Sequence, residues 1–261
     1  MVIGLFATPV VESCLFVGNE AATNGGAVQI GTSSVSFFNS TFVSNAAENG
    51  GGLYNINSNI FVAPTTVANC IFWQNDDVDG NPQISNAGSQ ASTVIRYSVI
   101  QGSGGSSAWV SIVGIDEGGN IDVLPEFMRM PNDGGDGWGD DPETPNVDED
   151  ANDDFGDLRP RSHSACISSG DPAYQPPAGT ADLDGHPRVQ CGRVDMGAYE
   201  FGLGDYDCNH LFDLADFAAW DTCMAGPGGP PYNPECVAFD FNADSVIDLN
   251  DFWAYQHLNF Q

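Results

Sequence analysis

ESCLFVGN (residues 12–19), FNSTFVSN (38–45), ANCIFWQN (68–75) and RYSVIQGS (96–103) are four versions of one short pattern. Aligning Cys14, Ser40, Cys70 and Ser98 gives steps of 26, 30 and 28 residues. Two positions on, the column reads Phe16, Phe42, Phe72 and Ile100; three further it reads Asn19, Asn45, Asn75 and Ser103. Gly25-Gly26 and Gly51-Gly52 also match at the step of 26. Residues two apart face one side of a strand, so the small and aromatic columns share an interior. The repeated Asn beyond each strand predicts a stacked amide ladder at a turn, and the paired Gly permits sharp corners. Short strands in coils of this length predict a parallel β-helix, with four or five coils recognisable. A β-sandwich of short strands is the alternative, but it does not explain why Phe, Asn and Gly keep their relative places.

Composition frames that reading. The 261 residues suffice for one large domain, or one large and one small. They hold 36 Asp and Glu against 6 Arg and no Lys, a formal charge of −30. Nucleic acid and anionic lipid need basic residues to displace counterions, so both are excluded as partners. Such self-repulsion predicts bound divalent cations. No apolar run approaches the ~20 residues of a membrane span, so no membrane insertion is expected. The start, MVIGLFATPVVESC, lacks the basic region of a signal peptide, and Met1 reads as the beginning of a processed, cut or incompletely recovered chain.

GGAVQI and NSTFVSNAAENGGGLY resemble the right-handed β-helix repeats of secreted and surface bacterial proteins, including the polymorphic-outer-membrane type. DLRPRSHSACISSGDP, followed by TADLDGHPRVQCGRVDMGAYEF, resembles the closing segment of the choice-of-anchor class of these proteins. The likeness runs over residues 1–202 and implies an extracellular stalk, adhesin or scaffold without a defined reaction. Between coils and closing segment lies an acidic insert, residues 132–157. Asp133, Asp136, Asp140 and Asp141 stand there among glycines, either as a solvated loop or as ligands wrapped round one calcium ion.

The C-terminal segment carries a sharper signal. DYDCNHLFDLAD (205–216) and DFNADSVIDLND (240–251) place acids or amides at positions 1, 3, 5, 9 and 12. These are Asp205, Asp207, Asn209, Asp213 and Asp216, then Asp240, Asn242, Asp244, Asp248 and Asp251. With the position-7 carbonyls of Leu211 and Val246, they form the oxygen set of a helix-bounded calcium loop. Phe212 and Ile247 fill position 8, and LADFAAW and LNDFWAYQHL supply the exiting helices. Two such loops about 35 residues apart resemble a type I dockerin over residues 204–261. Position 6, usually Gly, is His210 and Ser245, and position 12 is Asp. The expected organisation is therefore a parallel β-helix over 1–202 and a small α-helical, dockerin-like calcium module over 203–261.

Seven cysteines suit an oxidising compartment. Cys14 and Cys70, two coils apart, should lie ~10 Å from each other, beyond disulfide reach, and are expected to be buried thiols. Cys223 and Cys236 flank a Pro/Gly linker and should bridge it. Cys166 is expected to pair with Cys191. Cys208 is either free or the partner of one of those two.

Catalysis is not expected. Parallel β-helices host lyases that use calcium with Lys or Arg and glycosidases that use paired carboxylates. Here only Arg96 and Arg129 precede the closing segment, and the four His lack metal-ligand spacing. The expected role is an extracellular or cell-surface structural or adhesive protein stabilised by calcium. Its partner is another protein, a glycan or a second copy stacked head to tail into a filament. The alternatives are a module docking to a cohesin-like receptor, and a polysaccharide-active β-helix enzyme.

Overall fold

The computed structural model describes residues 1–4, 6–57, 59, 61–77, 83–139, 150–211, 213–226, 229, 234–242 and 244–258, the last including 255–258 as backbone only, as are 234 and 235. Strands succeed one another round a coil. The first turn contributes β1 (Val2–Ile3), β2 (Val10–Glu12), β3 (Leu15–Val17) and β4 (Glu20–Asn24). The second gives β5 (Val28–Gly31), β6 (Ser36–Phe38), β7 (Thr41–Val43) and β8 (Ala46–Asn49). The third gives β9 (Leu53–Ile56), β10 (Thr65–Ala68), β11 (Ile71–Trp73) and β12 (Asp76–Asp77). A partial fourth gives β13 (Ile84–Ala87), β14 (Thr93–Arg96) and β15 (Val99–Ile100), and β16 (Ile115–Asp116) adds to one edge. Equivalent strands pair in parallel, stacking as β1-β5-β9-β13, β2-β6-β10-β14-β16, β3-β7-β11-β15 and β4-β8-β12. The result is a parallel β-solenoid of about three turns, fewer than the four or five coils expected. After Ile100 the chain runs through Gly102, Gly104 and Gly105, all at positive φ, and forms no strand on the fourth side.

The aromatic column lands as expected. Phe16 pairs in register with Phe42, Phe42 with Phe72, and Phe72 with Ile100. The rings stack with centroids 4.5 and 4.2 Å apart. They fill the interior with Ile30, Phe37, Leu53, Val67 and Ile95. Stacking on parallel strands puts like side chains at the strand spacing, which suits flat rings.

The amide ladder is also present, with one substitution. Asn19 Nδ2 donates to Asn45 Oδ1 and Asn45 Nδ2 to Asn75 Oδ1, each at 2.7 Å. The next rung is Gln83, which receives Asn75 Nδ2 at 2.6 Å. Ser103 is too short to reach across and bonds locally to Ile100 O instead. The glycine match shifts by one. A register change in β4 between Ala21 and Asn24 takes up a residue. Gly25 therefore stacks over Gly50 (φ +64° and +61°) and Gly26 over Gly51. A side chain at Gly26 would place its Cβ 2.5 Å from the carbonyl oxygens of Ala46 and Gly51.

Beyond its first strand, the third sheet is largely buried on both faces. Its outward residues Val43, Ile71 and Val99 form a second core with Phe127, Leu158, Cys166 and Met196. These come from β17 (Phe127–Arg129), β18 (Asp157–Pro160) and the closing segment, which lies along the solenoid's flank. Gly197 donates to Asn69 O and Ala198 to Thr41 Oγ1. At Gly197 φ is +105°, and a Cβ would sit 2.7 Å from Ile71, which explains the Gly of VDMGAYEF. β17 and β18 pair antiparallel and Asn132 bridges Asp154 in the same sense, so the described ends of the acidic insert run side by side. Trp138 packs on the ring of Phe155 and against Gly18.

Two helices, α1 (Leu214–Cys223) and α2 (Leu249–Leu258), follow the acidic loops where their sequences predict. Trp220, Phe239 and Ile247 centre a small third core between them, with Tyr206, Phe241 and Phe252 packed against it. Phe212 lies outside the described residues.

The Cys223–Cys236 bond is present. Cys191 joins Cys208, not Cys166. Cys166 is buried in the second core, where burial pushes its thiol up to about 12. Cys14 and Cys70 are both free. Cys70 is buried, whereas Cys14, in the first turn, is half-buried.

Candidate functional site

The two acidic loops bond in the same way, position by position. Each position-12 carboxylate gathers the N–H groups of positions 2, 3 and 9. Asp216 accepts from Tyr206 (2.7 Å), Asp207 (3.3 Å) and Asp213 (2.9 Å). Asp251 accepts from Phe241 (2.9 Å), Asn242 (3.3 Å) and Asp248 (2.8 Å). Each position-1 carboxylate accepts from positions 5 and 6: Asp205 from Asn209 and His210, Asp240 from Asp244 and Ser245. The position-3 side chains accept from position 5, and the position-5 side chains from position 7. At position 9, Asp213 and Asp248 accept from the N–H two residues on, as N-caps do.

Thirty-five residues apart, the chain has thus folded twice into one conformation. The non-glycine residues at position 6 take it without exception: His210 is at φ +66° and Ser245 at +67°, both in the left-handed region. That region costs a side-chain-bearing residue about 1–2 kcal/mol, so the surrounding bonds must hold it.

The loops concentrate charge with little to offset it. Residues 203–261 include no Lys or Arg. Ligand atoms of Asp205, Asp207 and Asp216 lie within 4.8 Å of one another. Asp205 and Asp216 are buried, while Asp207 is exposed. Burial holds the Asp205 carboxyl above the usual range, with the charge of Asp216 adding to it and the His210 and Asn209 N–H groups opposing. Burial does the same at Asp251, where Asp240 supplies the adjacent charge. Each loop carries four carboxylates and one amide, but the amide stands at position 5 in the first (Asn209) and at position 3 in the second (Asn242). Every side chain at positions 1, 3, 5, 9 and 12 offers oxygen, as do the Leu211 and Val246 carbonyls at position 7. That donor set fits a hard divalent cation and offers no soft ligand.

The acidic insert differs. Asp133 accepts from the nearby Gly135 N–H, and Asp136 from the Asn152 side-chain amide. Among the described residues no third carboxylate joins them, and Asp140 and Asp141 lie outside those residues.

A second acidic cluster had no place in the sequence reading. Asp182, Asp184 and His186 bring ligand atoms within 4.8 Å, spaced like positions 1, 3 and 5 of the loops. Here the carboxylates are already occupied. Arg159 grips both oxygens of Asp184 at 2.7 and 2.8 Å. Asp182 accepts the N–H groups of Asp184, His186 and Glu200. The cluster therefore stabilises the closing segment. Beside it Arg188 is fully buried, bonded to the Gly197 and Ala198 carbonyls and 3.4 Å from Glu200. The sequence signal for this network was the density of charge in the closing segment, with two Arg and four acids within residues 180–202.

The chain matches no protein-family model, no curated protein and no solved structure. No described helix is long and apolar enough to cross a membrane.

Proposed function

We propose that this chain is an extracellular or cell-surface structural protein: a right-handed β-helix carrying a dockerin-type module, whose two loops bind calcium. Its work is adhesion, surface display or assembly. The observation that carries this reading is the position-by-position identity of the two loops, each closing around an oxygen-only donor set. Calcium would neutralise carboxylates that the fold holds together without basic partners. Two disulfides are compatible with an oxidising compartment. Calorimetric titration of the full chain with calcium tests the reading. Two binding events are expected, one lost in Asp205→Ala and the other in Asp240→Ala; absence of any calcium binding overturns it. Head-to-tail filaments are one form the assembly takes, and electron microscopy in calcium would remove that form if only dispersed particles appeared.

A docking role for the module has its own support. Leu214, Phe217, Leu249 and Trp253 are exposed on the two helices, and Leu214 and Leu249 occupy equivalent positions. Such residues suit a cohesin-like receptor. Loss of surface-protein capture in Leu214→Asp with Leu249→Asp, at unchanged calcium binding, would single out this role. A catalytic reading has less behind it. With no Lys, a lyase site would draw on arginines, and all six are bonded internally.

A further inference from the structure

The two loops bond alike but are tethered differently. Position 4 of the first loop is Cys208, which lies between Asp207 and Asn209 and is bonded to Cys191 of the closing segment. Position 4 of the second is Ala243, which has no such option. We infer that the Cys191–Cys208 bond is a redox control on the first loop, tightening its hold on a divalent cation and leaving the second loop unaffected. The inference rests on the reading of both loops as cation sites.

Three observations carry it. First, the first loop has strain and charge to hold in place. Cys208 (φ +59°) and His210 (φ +66°) are both left-handed without being glycine. Asp205, Asp207 and Asp216 converge there, and their repulsion favours an open loop when no cation is bound. A covalent tie at position 4 restricts that opening and raises the fraction of chains ready to bind.

Second, the tie has a firm anchor. Gln190 and Arg193 form a bridge that brackets Cys191. Arg193 donates to the Ser169 and Gly170 carbonyls and lies over the Tyr97 ring. The loop is thereby referred to the flank of the solenoid.

Third, the two disulfides differ in access. Cys208 is exposed and Cys191 half-buried, whereas Cys223 and Cys236 are buried in the third core. A small dithiol therefore reaches Cys191–Cys208 first. The exchange yields two protein thiols and the cyclic disulfide of the reductant, with two electrons and two protons passing to the protein.

The full-length Asp240→Ala chain, which keeps only the first loop, is titrated with calcium with and without Cys191→Ser and Cys208→Ser. Affinity is expected to fall about tenfold when the bond is removed, within the usual range of coupling between sites. In Asp205→Ala, which keeps only the second loop, the same change should leave affinity unmoved. Equal affinity of the Asp240→Ala chain with and without the bond overturns the inference while the cation reading stands. Failure of the Asp240→Ala chain to bind calcium with the bond intact overturns both. The unsubstituted chain gives a second check, because coupling is reciprocal. In a dithiol buffer, calcium should shift the Cys191–Cys208 equilibrium towards the disulfide by the same factor. Cys223–Cys236 serves as the internal control. No calcium dependence of the Cys191–Cys208 equilibrium would sink the proposal.

Discussion

The solenoid and the acidic module both repeat a short motif, and they hold the copies in place by opposite means. In residues 1–100 the repeated side chains are neutral and lie on one another: Phe on Phe, Asn on Asn. Each copy supplies what the next one lacks. In residues 203–261 the copies do not stack. Each folds back on its own carboxylates, which take up backbone N–H groups within one loop. A neutral ladder gains from every neighbour added, whereas each added carboxylate raises the electrostatic cost. The first arrangement therefore completes itself, and the second calls for a cation or a covalent tie.

That contrast can be broken at its strongest point first. Phe42→Ala removes the middle ring of the stack and should cost about 3–5 kcal/mol, as large core truncations do. Chemical denaturation should show the loss in the solenoid, with calcium binding by the surviving native chains unchanged. A calcium response that disappears with Phe42 would mean that the two regions are not separate in stability.

Calcium removal is next. At a hundredfold excess over the dissociation constant, one site contributes about 2.7 kcal/mol. Chelation should lower the melting of residues 203–261 and leave the solenoid's strands protected from amide exchange. If both regions lose protection together, the contrast fails.

The closing segment sharpens the comparison because it buries acidic groups beside arginines, which the module lacks. Burial pushes Asp195 up to about 7, against the opposing pull of the Phe201 and Ser168 N–H groups and Arg188, while the charge of Asp182 adds to the rise. Unfolded, the group ionises near its ordinary 3.8. Between those values the folded chain holds a proton the unfolded chain does not. This contribution is full below the lower value and is lost as pH rises through the upper one. The expected loss is about 1.4 kcal/mol per pH unit inside that window. Melts in chelator, from about pH 5 to 6.5, should show a shallower slope in Asp195→Asn, whatever that variant's own stability. An unchanged slope would assign the titration elsewhere.

The smallest effect is expected from Asn45→Ala, which breaks the amide ladder. Leaving its buried partners unpaired should cost about 1–3 kcal/mol, read as lower solenoid stability with the module intact.

Much of this molecule was legible because its signals are local or strictly periodic. The Phe column predicted the register of the third sheet, and the twelve-residue spacing predicted both loops and the start of both helices. A fixed spacing in sequence becomes a fixed place in space only when the backbone between is regular. The glycine match slipped where β4 changes register, and the amide ladder passed to Gln83 because reach, not spacing, decides who bonds.

What tertiary structure alone decided lies at long range. Asp171 meets Asn69 across 102 residues, and Ala198 meets Thr41 across 157. No periodicity connects such pairs, so the docking of the closing segment on the flank could not be read in advance. The pairing of Cys191 with Cys208 followed from that docking. Composition placed Cys166 and Cys191 in one segment; burial of Cys166 in the second core left Cys208 as the partner within reach. The sequence alone determined which residues repeat and which carry charge, because these are properties of the chain. Which copies touch, and which thiol finds which, was settled by packing, because only the folded backbone sets distances.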